Sequence, residues 1–82
     1  MKDIVKKITE QIEYLEGDAY FYEMQIKFLT YLKETSPEVE TEMDNGSFDY
    51  VISEDKKQKE KILQQITSLN VELKNLTNQK AS

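Results

Sequence analysis

Carboxylates are the most numerous side chains in this sequence that could do chemistry, and they concentrate in one stretch. From Glu34 to Asp55 the chain has eight acidic residues and no basic one. Clustered carboxylates can bind a divalent cation, act as an acid–base pair, or imitate the phosphates of a nucleic-acid backbone. We call five of these residues the acidic tip: Glu38, Glu40, Glu42, Asp44 and Asp49.

The spacing of these acids does not match a known metal or catalytic motif. With Gly46 as the sixth residue of an EF-hand loop, the first position would be Thr41 and the twelfth Ile52, where acids are required. The chain also has no His, Cys or Arg, which removes the commonest general base, the commonest transition-metal ligands and the bidentate phosphate fork. No glycine-rich phosphate loop or nucleophile elbow is present. We therefore expect no enzyme activity, no metal site and no cofactor.

Length and charge restrict the function further. The chain has 82 residues and a net charge of −5, so we expect a single domain, residues 1–82, without direct binding to nucleic acid or an anionic membrane. No apolar run approaches the roughly 20 residues of a membrane span, and no signal peptide is visible at the amino terminus. A cytoplasmic location is expected.

The first half of the chain carries an unbroken heptad repeat of apolar residues. Their spacing alternates between 3 and 4 over four repeats, which is typical of a helix that buries a seam against another helix. We predict one continuous helix over about 2–34, ended by Pro37, in preference to a break at Gly17. The seam residues of this helix are Val5, Ile8, Ile12, Leu15, Ala19, Tyr22, Ile26 and Leu29.

A thinner stripe with the same spacing predicts a second helix over about 54–79. Ser53 is the expected N-cap, and acids follow it in the first turn, where the helix dipole favours them. Residues 54–61 include no apolar side chain, so we expect packing only from Ile62 onward. The seam residues of this helix are Ile62, Ile66, Leu69, Leu73 and Leu76.

The connecting segment, 36–53, suggests a β-hairpin. Asn45-Gly46 is the dipeptide typical of a type I′ turn, and apolar residues alternate with polar ones on both sides of it. An irregular loop or an early start of the second helix are the alternatives. The expected fold class is all-α: an antiparallel two-helix hairpin (helical hairpin or coiled coil), joined by a short β-hairpin or loop and assembling into a four-helix bundle.

Aromatic residues widen the apolar surface of the first helix. Tyr14, Phe21 and Phe28 recur every seven residues at the c position, while Ile4 and Leu32 occupy g. Both positions lie beside d on a helical wheel, and one partner helix cannot cover a, d and c together. We expect this flank to contact a second copy, a folded-back terminus or a foreign protein. The predicted partner-binding residues are Tyr14, Phe21, Phe28 and Tyr31.

The helix–hairpin–helix layout is similar to that of the β-type subunits of prefoldin, a hexameric holdase chaperone, and the resemblance implies a small holdase. From the residues themselves we expect a non-enzymatic protein–protein interaction module, such as an accessory, adaptor or assembly protein, that forms a homo-oligomer or binds another protein. A further alternative is a small acidic inhibitor, encoded by a phage or other mobile element. It would block a nucleic-acid-processing or defence enzyme.

Overall fold

The computed structural model describes residues 2–43 and 46–81 as two long helices joined by a short helical turn. Helix α1 spans Lys2–Thr35, a 3-10 helix spans Pro37–Glu42, and helix α2 spans Phe48–Ala81. The two long helices pack against each other in a rod of 60 × 19 × 15 Å. Lys33 pairs with Asp49 and Glu23 with Lys59. Partner numbers thus rise in one helix as they fall in the other, so the helices are antiparallel.

Helix α1 continues through Gly17. A Cβ atom at Gly17 would meet nothing within 4 Å, so this residue lies on open surface and nothing in the hairpin requires a glycine there. The helix ends at Thr35, where the N–H of Ser36 donates to the carbonyl oxygen of Leu32 (2.7 Å). Pro37 cannot continue the α-helical ladder, and it starts the 3-10 helix at a position that needs no N–H donor.

The predicted β-hairpin is wrong: residues 36–43 and 46–53 contain no strand. Its second half instead belongs to α2, which starts early. The reason is burial, since Phe48, Val51 and Ile52 lie at i, i+3 and i+4 and share one face of a helix. In a strand Val51 would point away from the other two. The remaining turn residues of the prediction, Asp44 and Asn45, lie outside the described residues.

Helix α2 begins at Phe48, and its N-cap is Ser47 rather than the predicted Ser53. The Ser47 Oγ accepts a hydrogen bond from the N–H of Tyr50 (3.1 Å), which satisfies one of the free donors of the first turn. Asp49, in that first turn, accepts a hydrogen bond from Lys33 of α1. This bond and the opposite charge raise the pKa of Lys33. Both side chains are largely exposed, so their contribution to stability is small.

Two apolar regions hold the helices together. At the connector end, Leu29, Phe48 and Val51 form a buried cluster, against which Leu32, Val39, Met43 and Ile52 pack. Along the rest of α1 the predicted seam faces α2, and its most buried members are Ile8, Ile12, Leu15 and Ala19. The other seam residues are half-buried: Val5, Tyr22, Ile26, Ile62, Ile66, Leu69, Leu73 and Leu76. A two-helix pair has only one contact layer, which explains why so few side chains are fully covered.

Candidate protein-docking surface

The predicted partner-binding residues lie on the face of α1 that points away from α2. All four side chains are largely exposed: Tyr14 69%, Phe21 63%, Phe28 60% and Tyr31 61%. At about 100° per residue, their mean direction lies roughly 160° round the helix from the seam. They are therefore opposite the seam, not a flank beside it.

Two further residues complete this face, and sequence reasoning missed both. Gly17 and Met24 fall between the aromatics, so that the whole set is spaced 3, 4, 3, 4 and 3. Met24 is 45% exposed. This spacing equals that of the seam, so the same heptad count applied to the c and f positions finds the face. We call this set the outer face: Tyr14, Gly17, Phe21, Met24, Phe28 and Tyr31.

One contact orients an aromatic ring of the outer face. The rings of Phe21 and Tyr22 meet edge to face, with centroids 5.7 Å apart and planes at 78°. Such a pair contributes about 0.5–1.5 kcal/mol. Because Tyr22 is itself half-buried in the seam, this contact joins the exposed ring of Phe21 to the side of α1 that packs against α2.

Charge is unevenly distributed around the outer face. Residues 8–26 of α1 carry five acids and no base. Further along, Lys27 lies 3.8 Å from Glu23, and Lys59 of α2 reaches the same carboxylate at 3.9 Å (Nζ to Oε1 in both). Glu23 is therefore partly neutralised, while the acids nearer the amino terminus have no ion pair among the residues that the structure describes.

The acidic tip does not form a row of carboxylates in the part that the structure describes. Glu38, Glu40 and Glu42 are exposed on the 3-10 helix, where three residues per turn send i, i+2 and i+4 to three different sides. Asp49 is bound to Lys33, and Asp44 lies outside the described residues. Within residues 2–43 and 46–78, no group of three or more acids is placed to hold a metal ion.

The seam of α2 extends upstream of Ile62 through two polar residues that sequence reasoning left out. Counting back by 3 and 4 reaches Lys59, Asp55 and Ile52. Asp55 is only 7% exposed, and its Oδ2 has no hydrogen-bond partner among the described residues. Burial raises the pKa of this carboxyl group. The seam therefore contains a poorly satisfied carboxyl group one turn from Val51 of the buried connector cluster.

The described residues define an all-helical two-helix hairpin with an apolar outer face on α1. Neither helix, over its described part, is long and apolar enough to cross a membrane. Comparison of the chain with protein-family models, with curated proteins and with solved structures finds no match. The resemblance to the prefoldin layout depended partly on a β-hairpin, and the described residues of the connector contain no strand.

Proposed function

We propose that this chain is a non-enzymatic protein–protein interaction module that binds through the outer face of α1. The exposure of Tyr14, Phe21, Phe28 and Tyr31 in one stripe carries this proposal. Single exposed apolar residues are ordinary on protein surfaces, but a contiguous stripe of large ones is typical of an interface. Aromatic side chains are enriched at such interfaces because they bury a large area at small entropic cost.

The hairpin itself has no use for these side chains. They lie opposite the seam and outside the buried cluster of Leu29, Phe48 and Val51, so replacing them removes little packing within the chain. Water-exposed aromatic rings add only a few tenths of a kcal/mol to a helix through neighbours three or four residues away, and they are weaker helix formers than Glu, Lys or Gln. A surface that adds little internal stability and is apolar along about five turns fits a role in binding.

Capture experiments test the proposed surface. The wild-type chain, a Phe21→Glu/Phe28→Glu variant and a Tyr50→Glu control would each be immobilised as bait. Tyr50 is an aromatic of similar exposure, 58%, on α2. We expect wild type and control to retain the same proteins, including the chain itself, and the double variant to lose them while its helical circular-dichroism signal is unchanged. Equal retention by all three baits would contradict the proposal.

The alternatives predict different partners for the same surface. An acidic inhibitor would retain one enzyme, and a holdase would suppress the aggregation of several unrelated clients. The inhibitor acting through the acidic tip has less support than one acting through the outer face, because the glutamates at 38, 40 and 42 diverge on the 3-10 helix. The cytoplasmic location and the single-domain organisation stay predictions.

A further inference from the structure

We propose that the outer face of α1 binds a second copy of this chain, with the two α1 helices antiparallel. This inference rests on the proposed function and names the partner. A symmetric pair places the same stripe against itself, which requires that the stripe be complementary to its own reversed copy. The order of side chains along the outer face meets that requirement.

Complementarity is clearest at Gly17. Suppose that the two-fold axis passes between Phe21 and Met24. Each residue of the outer face then lies opposite the residue of the second copy for which the two numbers add to 45. The c and f positions of the two helices alternate in successive layers, as heptad positions do in antiparallel helices. Gly17 then lies opposite Phe28 of the second copy. The position without a side chain faces a large ring, and the ring fills space that is open in the single hairpin.

The other layers of this register are also well matched in size. Phe21 meets Met24 of the second copy at the centre, and Tyr14 meets Tyr31 at each end. A parallel arrangement would instead place each residue against itself. Gly17 would then face Gly17 and leave a void, and Phe28 would face Phe28 and crowd its layer. The antiparallel register is therefore the one that the stripe fits.

The available area suits a modest dimer. An aromatic side chain buries about 150–250 Å² in full, so one that is about 60% exposed still offers roughly 100–150 Å². Four such rings and Met24 offer about 500 Å² per copy, or about 1,000 Å² in total before the flanking residues are added. Specific interfaces bury about 1,200–2,000 Å². We expect a reversible dimer that forms in the micromolar range.

The position of the outer face also determines the shape of the assembly. Since it lies opposite the seam, the two hairpins meet back to back, with the α1 helices inside and the α2 helices outside. Four helices then form one layer rather than the closed bundle expected from the c positions alone. Each copy carries a net charge of −5, so the copies repel and added salt should tighten this dimer. Added salt should instead weaken the binding of a basic foreign helix.

Size exchange tests the register. Gly17→Leu should weaken the dimer at least tenfold, because Leu would overfill the layer opposite Phe28. Phe28→Ala should weaken it by leaving that layer empty, and the Gly17→Leu/Phe28→Ala double variant should recover most of the loss. Asn70→Leu, which adds the same side chain at an exposed position of α2, is the control. The mass would be followed by light scattering over a concentration series.

The outcomes separate this inference from the proposed function. A wild-type dimer with recovery in the double variant supports the register. A dimer that ignores changes at 17 and 28 overturns it. A wild-type monomer at every concentration overturns the second copy as partner, and capture of other proteins that Phe21→Glu/Phe28→Glu abolishes would then leave the outer face as a docking surface for a foreign protein.

Discussion

Asp55 is the residue whose position is hardest to reconcile with packing alone. It lies in the seam, 7% exposed, with one carboxylate oxygen unpaired among the described residues. Burial disfavours the charged form of Asp55 and raises the pKa of its carboxyl group in the folded state above the ordinary value of 3.8. The folded chain therefore holds its proton to higher pH. The free energy of unfolding falls as the pH rises from the unfolded pKa through the folded one, and it stays lowered above that.

Replacing Asp55 should thus stabilise the protein at neutral pH. We expect Asp55→Leu to raise the free energy of unfolding at pH 7 by about 1–3 kcal/mol, because it removes an unsatisfied buried group. It should also remove the decrease in stability that begins near pH 4. Urea unfolding over a pH series measures both effects. Glu60→Leu, an exposed position in the same helix, should change stability by no more than about 0.5 kcal/mol. A less stable Asp55→Leu chain would show that the carboxylate is satisfied in solution.

The two helices depend on each other, because each has only one apolar seam. Ile12, 7% exposed, lies near the middle of α1. We expect Ile12→Asp to abolish cooperative unfolding and most of the helical signal, because an unpaired charge in the seam costs several kcal/mol. Leu69→Asp should act in the same direction from α2. Val71→Asp, at an exposed position of α2, is the control and should melt close to the wild type in thermal circular dichroism. A helical signal that survives Ile12→Asp would mean that the seam register is wrong.

Sequence periodicity was most informative where a single period was present. In α1 all eight seam positions are apolar and in one phase, so the helix and its buried side followed directly. The start of α2 was missed because Lys59 and Asp55 hide the phase, and residues 48–52 suit both a period of two and a helical face. The sequence predicts only the aromatic part of the outer face, because its c positions are aromatic while one f position is glycine. Hydrophobicity alone does not reveal a stripe that uses an absent side chain.

At the scale of the whole molecule, a two-helix hairpin has no third layer. Each helix has one side against its neighbour and the rest toward water, so an apolar outer face cannot be covered from within the described chain. Larger helical proteins bury such a face under another helix of the same chain. In the proposed dimer, a second molecule supplies that layer.

The central claim is that the outer face is exposed in the single hairpin and covered when two hairpins associate. Fluorine NMR tests this claim most directly. The sequence has three phenylalanines, Phe21, Phe28 and Phe48, so 4-fluorophenylalanine gives three signals. Phe48, 1% exposed, is an internal buried control. In dilute protein a soluble paramagnetic agent should broaden the signals of Phe21 and Phe28 and spare that of Phe48. As the concentration rises and the dimer forms, the first two should become protected together. Signals of Phe21 and Phe28 that are protected in a sample that light scattering shows to be monomeric, or that stay fully accessible at millimolar concentration, would contradict the account.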